Sequence, residues 1–142
     1  MLRMSKLADY AFIILTQMSL RGEQKWSAST LATETTLPLP TVAKLMKLLA
    51  KNGIVLAHRG AAGGYSLSRK AKDISIAQII EAVDGPIGLT ECSGAAKGKT
   101  VCDCAVQTAC PVREKWWRVN RALRGALEDV TLSDLAVLPE SA

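Results

Sequence analysis

Residues 54 to 67 place a β-hairpin inside an otherwise helical pattern, and this constrains the fold more than any other feature. Ile54-Val55-Leu56 and Tyr65-Ser66-Leu67 are short β-prone runs, and Arg59-Gly60-Ala61-Ala62-Gly63-Gly64 between them is a tight glycine-rich turn. The segments before it have helical periodicity. Leu7, Ala11, Ile14, Leu15 and Met18 predict an amphipathic helix over roughly residues 4–20. Ser27 is placed to cap a short second helix from Ala28 to Glu34, with Trp26 as a staple against Leu31. After Leu37-Pro38-Leu39-Pro40, with Pro40 suited to a first helical position, Val42, Leu45, Met46, Leu48 and Leu49 mark a third helix that ends at Asn52-Gly53.

Downstream, Ser75 and Gln78 form a capping-box pattern for a fourth helix through Ile76, Ile79, Ile80 and Val83, stopped by Asp84-Gly85-Pro86. Residues 86–110 have no periodicity and hold all four cysteines. Val112, Trp116, Val119, Leu123, Leu127 and Val130 then mark a long amphipathic helix, and Thr131 with Asp134 caps a short terminal turn from Leu132 to Leu138. The expected fold is mainly α with a small β-hairpin: a winged helix-turn-helix plus a long C-terminal dimerisation helix. Its parts are a DNA-binding domain at 1–85, a cysteine-bearing loop at 86–110, and a dimerisation helix and tail at 111–142.

Charge follows this division. Residues 1–72 carry 11 Lys and Arg against 3 Asp and Glu, a net of +8; residues 73–142 carry 7 against 10, a net of −3. From residue 35 to residue 72 there is no acidic residue, while Lys44, Lys47, Lys51, Arg59, Arg69, Lys70 and Lys72 all fall there. A basic block within a folded pattern suits a polyanion as well as it suits a solvated surface. The element order tips the balance, because the major groove of double-stranded DNA admits one α-helix. Thr41 can meet bases or phosphate, and Lys44 and Lys47, three apart on one face, can meet phosphates. Arg59 at the hairpin tip suits a narrow minor groove. Gly60, Gly63 and Gly64 let backbone approach the sugar-phosphate, with Tyr65 opening the return strand. His58, the one histidine, reads as a phosphate contact or bystander rather than a ligand.

Cys92, Cys102, Cys104 and Cys110 fall within 19 residues. A long aperiodic loop needs something to order it, and thiolates suit zinc or an iron–sulfur cluster. Two Cys-x2-4-Cys pairs of the usual zinc pattern are absent, although Cys102, Cys104 and Cys110 can form an irregular site. With Pro111 as the first residue of the long helix, Cys110 would sit at that helix's positive end. No apolar run reaches the length of a membrane span, Asp9 interrupts the early apolar stretch, and no leader is expected, so the chain is placed in the cytoplasm. A single histidine, no nucleophile elbow and no Gly-x4-Gly-Lys pattern argue against an enzyme.

Five segments carry a resemblance: Leu7-Ala8-Asp9-Tyr10-Ala11, the wing from Arg59 to Leu67, Ile79-Ile80-Glu81-Ala82-Val83-Asp84-Gly85-Pro86, Glu91-Cys92, and Cys110-Pro111-Val112-Arg113. Together they resemble the Rrf-type (IscR/NsrR-like) family of winged-helix iron–sulfur transcriptional regulators. The stretch from Trp116 to Arg121 and from Leu127 to Leu132 is most similar to its SUF iron–sulfur assembly regulator branch. The resemblance implies a homodimeric repressor on a pseudo-palindromic operator. Its DNA affinity would be set by a 2Fe–2S or 4Fe–4S cluster in the loop, and it would control cluster-assembly genes. Cys92, Cys104 and Cys110 match the family's thiolate ligands, with the choice between Cys102 and Cys104 open because of the insert around Lys97-Gly98-Lys99. Where one branch has a histidine ligand this chain has Arg113, so Asp9, acting on the partner subunit's cluster, and Cys102 are the candidates for the fourth ligand. The alternative is a zinc-stabilised or thiol-redox-sensing DNA-binding regulator without iron.

Overall fold

The computed structural model describes residues 2–93, 104–106 and 108–137. Helix α1 (Lys6–Leu20) starts at Ser5, whose hydroxyl accepts the Ala8 N–H and so satisfies one open donor of the first turn. Ser5 also donates to Asp84 at 2.6 Å, linking this cap to the fourth helix. Helix α2 (Ala28–Thr35) is capped by Ser27 as expected and ends at Thr36, which takes the left-handed conformation at φ 56°. Helix α3 (Leu39–Lys51) begins one residue earlier than expected. Pro38 is its N-cap and Pro40 lies within its first turn, where a missing N–H costs nothing.

The hairpin pairs β1 (Val55–His58) with β2 (Gly64–Leu67) antiparallel, Val55 opposite Leu67 and His58 opposite Gly64. A 3-10 turn, Ala71–Asp73, leads into α4 (Ile76–Asp84), which opens on the Ser75–Gln78 capping box. Helix α5 (Arg113–Asp129) and the short α6 (Leu132–Leu135) complete the described chain. Thr131 and Asp134 form the cap of α6, and the Thr131 N–H and hydroxyl hold the Asp134 carboxyl below its ordinary range. That capping contribution is therefore complete above the ordinary carboxylate value and is lost on acidification.

One core joins these pieces. Ile14, Leu15 and Met18 of α1 pack with Leu31, with Val42, Leu45, Met46 and Leu49 of α3, with Ile74 and Ile79, and with Leu132 of α6, all of them buried. The chain end is brought there by a backbone bridge: the Ile76 N–H donates to the Val130 carbonyl at 2.9 Å and the Leu132 N–H to the Ile74 carbonyl at 2.8 Å.

Trp26 is more than a staple. Its N–H donates to the Tyr65 carbonyl and its carbonyl accepts the Tyr65 N–H, both at 2.7 Å, adding a one-residue third strand to the wing. This close approach dictates one of the glycines, and the turn itself dictates its neighbour. A Cβ at Gly64, where φ is +136°, would sit 2.7 Å from the Trp26 carbonyl oxygen; one at Gly63 would collide with the carbonyl oxygens of His58 and Gly60. At Gly60, φ is +98° and the space beyond is open.

Gly64→Ala is accordingly expected to lower unfolding free energy by about 2–3 kcal/mol, combining collision with a strained backbone, and Gly60→Ala by about 1 kcal/mol from backbone alone. Urea denaturation of both variants checks this; equal losses would remove the Trp26 approach as the cause.

Candidate nucleic-acid interface and cysteine loop

Helix α3 exposes a face of cations. Pro40, Ala43, Lys44, Lys47, Leu48 and Lys51 line a shallow groove of about 470 Å³ along it. Val42, Leu45, Met46 and Leu49 on the opposite face are buried, so the core fixes which side α3 presents. Thr41 is half-buried near the start of the helix, whereas Lys44, Lys47 and Lys51 are exposed. Lys51, a member of the basic block, joins this face by its spacing from Lys47 and Lys44. Arg59 and Gly60 are exposed at the wing tip, while Gly63, Gly64 and Tyr65 are half-buried where the wing meets Trp26. The structure thus gives Gly63 and Gly64 a packing reason beside any role in backbone approach. His58 is held by a 2.8 Å hydrogen bond between its Nε2 and Ser66 Oγ.

Arg69 belongs to the basic block by sequence and to the framework by structure. Its guanidinium donates to the Asp73 carbonyl at 3.1 Å, to the Gly53 carbonyl at 3.2 Å, to Ser68 Oγ at 3.3 Å and to Gln78 Oε1 at 3.1 Å. Those bonds tie the end of α3, the exit of β2 and the start of α4, a role that charge counting cannot distinguish from a phosphate contact.

Cys92 lies in a turn after α4. Thr90 Oγ1 stands 3.2 Å from Cys92 Sγ, and the Thr90 N–H and hydroxyl both donate to Ser93 Oγ. Cys104 and Cys110 are half-exposed free thiols, as is Cys92; Cys102 lies outside the described residues. Helix α5 starts at Arg113 with Val112 as its N-cap, so Pro111 is not its first residue and Cys110 stands outside the first turn, contrary to expectation. Asp9 is exposed on the first turn of α1. The donor chemistry of three free thiols suits an iron–sulfur cluster or zinc. Among the described residues, however, no three His, Cys, Asp or Glu side chains come together into a metal-holding group.

Helix α5 carries its apolar residues outward. Val112 before it, Trp116 and Val119 along it and Val130 after it are 38–47% exposed, and the first three stand four and three residues apart, on one face. Leu127 turns the other way and packs against the core. Arg124 forks onto Glu81 of α4, with Nε 2.9 Å from Oε1 and Nη2 3.3 Å from Oε2, and also pairs with Glu128; the hydrogen bond to Glu81 pushes the guanidinium further above its already high range. Among the described residues, the buried side chain on α5 is Asn120, a lone amide that carries no periodic signal in the sequence. Among the described residues no helix is long and apolar enough to cross a membrane.

The family model described as Rrf2, iron-dependent transcriptional regulator, matches residues 4–137. The chain belongs to the Rrf2 family of transcriptional regulators. It is 30% identical over 143 residues to an HTH-type transcriptional regulator of Mycobacterium tuberculosis strain H37Rv, covering 98% of this chain and 85% of that relative. It is 33% identical over 99 residues to the HTH-type transcriptional regulator IscR of Vibrio atlanticus, covering 70% of this chain and 54% of the relative, so it spans about half of that protein's length. Among solved structures, CymR, described as the global cysteine regulator of B. subtilis, superposes with a TM-score of 0.70 at 29% identity, covering 96% of this chain and 97% of that one. The winged-helix architecture of this Rrf2-family chain, mainly helical with one two-stranded sheet, agrees with that expected from its sequence.

Arg69→Ala is expected to lower folding stability by about 1–2 kcal/mol, since it unties the end of α3 from the start of α4, leaving the Asp73 carbonyl to water, the Gly53 carbonyl to Ser68 Oγ alone and Gln78 Oε1 to the Ser75 N–H alone. Thermal unfolding checks this; a variant as stable as the parent would return Arg69 to the pool of free surface cations.

Proposed function

We propose that this Rrf2-family regulator is a repressor that binds a pseudo-palindromic double-stranded operator as a homodimer, and that an iron–sulfur cluster in its cysteine loop sets its affinity. The observation that carries the DNA-binding half is the cationic face of α3, with Lys44, Lys47 and Lys51 exposed in one line, beside a wing whose tip presents Arg59. In this reading Thr41, near the N-terminal end of α3, reaches base edges or phosphate. Lys44 and Lys47 neutralise phosphates, and Arg59 with the backbone at Gly60 enters the adjacent minor groove. Gly63, Gly64 and Tyr65 set the direction of the wing through Trp26. Residues 1–85 are the reader, 86–110 the sensor and 111–142 the dimerisation segment.

The outward-facing Val112, Trp116, Val119 and Val130 support the dimer. An apolar stripe on a helix that buries one polar side chain of its own in the chain is suited to a second copy. Three free thiols, membership in a family described as iron-dependent, and likeness to IscR support the cluster. Cys92, Cys104 and Cys110 would hold it, with Cys102 or the partner subunit's Asp9 as the remaining ligand. Bound, it would supply a redox- and iron-sensitive anchor for the loop. A carboxylate ligand such as Asp9 is harder and more weakly held by iron than a thiolate, which would make it the labile corner. Control of cluster-assembly genes follows from the resemblance to the SUF branch.

A second reading is favoured by one pair of observations. The described thiols do not form a three-ligand group, and a structural neighbour covering nearly the whole chain is a cysteine regulator. In that reading the loop is a zinc-stabilised or thiol-redox element without iron. Anaerobic reconstitution of the wild-type chain is expected to give visible absorption with stoichiometric iron and sulfide. The Cys92→Ala, Cys104→Ala, Cys110→Ala triple variant should stay colourless. Wild-type protein that remains colourless, or that carries zinc by elemental analysis, would establish the second reading.

For the DNA face, Lys47→Ala is expected to weaken all sequences alike and reduce the salt slope of log K by about one. Arg59→Ala should instead lose preference for A/T-rich flanks. Fluorescence anisotropy across a salt series with two operator flanks measures both; equal losses on both flanks for both variants would contradict the assignment.

A further inference from the structure

Asn120 is 7% exposed, and with Ser93 it makes up the buried polar residues among those described. Among the described residues, the hydrogen bonds of its side chain all go to the backbone of the segment that carries Cys92. Its Oδ1 accepts the Leu89 N–H at 3.1 Å, and its Nδ2 donates to the Ile87 carbonyl at 3.1 Å and to the Ser93 carbonyl at 3.0 Å. One side-chain head therefore grips the chain on both sides of Cys92. The grip is specific to an amide. An aspartate would face a carboxylate to two carbonyl oxygens, and a leucine of similar volume would leave two buried acceptors and a donor unsatisfied.

The segment held is itself stiff. Ser93 Oγ accepts from the Thr90 N–H at 3.0 Å and from its hydroxyl at 2.9 Å, and donates to the Thr90 carbonyl at 3.1 Å. Cys92, touching Thr90 Oγ1, rides on this closed turn. On the helix side, Asn120 follows Val119 of the outward seam and is the buried side chain of α5 among the described residues. The other ties, Arg124 to Glu81 and Leu127 to the core, lie one and two turns further on. The start of α5 is thus oriented by the Cys92 turn through Asn120.

We infer that Asn120 is a positioning residue that couples the Cys92 turn to the direction of α5, so that a group bound at Cys92 reaches the dimer seam through this amide. The inference rests on the proposed function in taking Cys92 as the sensing thiol; the coupling itself does not require iron. A bound group that favours a different turn must break or move these three hydrogen bonds. It thereby shifts the population between two orientations of α5 relative to the wings.

The test uses the full chain. With Cys102, Cys104 and Cys110 replaced by Ser, so that Cys92 is the one thiol, Asn120→Ala is expected to speed alkylation of Cys92 by iodoacetamide on the order of tenfold, the effect of losing about one buried hydrogen bond's worth of protection. In the unsubstituted protein the Leu89 amide should exchange slowly with deuterium and the amides of α1 and α3 more slowly still; in Asn120→Ala only the former should accelerate. On cysteine-complete protein, the ratio of DNA affinities with and without the reconstituted cluster should fall toward one in Asn120→Ala, whereas a merely structural loss would lower both affinities together. Unchanged Cys92 alkylation, or a Leu89 amide that exchanges at the free rate in the parent chain, overturns the coupling; the second measurement stands even if the variant does not fold. If the parent chain takes up no iron, the cluster reading fails, and the alkylation and exchange results still decide the role of Asn120.

Discussion

The two 2.7 Å hydrogen bonds between the backbones of Trp26 and Tyr65 are the contact on which the reading surface depends. A two-stranded hairpin is marginal by itself in water. Here its return strand gains a third partner from the α1–α2 connection, and its inner residues Val55 and Tyr65 pack against the helical core. The wing is thereby held at a set angle to α3. Rigidity at this joint lets two separate features, a lysine-lined helix face and an arginine-tipped loop, act as one surface. It also explains the glycine that opens the return strand: the approach of the Trp26 carbonyl leaves no room for a side chain at Gly64, while Gly63 is required by the His58 and Gly60 carbonyls within the turn itself.

The second half of the chain is attached by a different kind of contact. Helix α5 contributes Leu127 to the core and otherwise holds on through polar groups, Asn120 to the loop and Arg124 to Glu81. Apolar burial is non-directional and tolerates small rotations, whereas an amide bonded to three backbone groups has a narrow geometry. An element fastened mainly by directional bonds has few equivalent positions, and moving the bonded segment moves it. That is the property the proposed sensing arm requires, and it leaves the apolar face of α5 exposed.

Much of this was legible in the chain itself. The helix starts at Ser27, Ser75 and Thr131 were readable because a cap is a local interaction spanning three residues. The hairpin and the buried stripes of α1, α3 and α4 followed from periodicity, except that Leu48, expected in the α3 stripe, is half-buried and lines the lysine groove. What escaped had no local signal. The tie from Ser5 to Asp84, Trp26 as a strand partner, the bond from Arg69 to the Gly53 carbonyl and Asn120 as a loop anchor all act on residues distant in sequence. Helix α5 starts at Arg113, two residues beyond Pro111, which suits a first helical position by propensity.

Residue types and spacings alone determined the order of elements, the split between a basic front and an acidic back, and the presence of thiols in one segment, because these are properties of composition and of contacts within one turn. Tertiary structure decided which cations stay on the surface and which, like Arg69, are consumed by carbonyls; why Gly63 and Gly64 must be glycine; and that one amide joins the Cys92 turn to the outward-facing helix. The reason is physical. Charge and periodicity are set along the chain, but whether a polar group is free or satisfied depends on which backbone groups folding brings within about 3 Å of it.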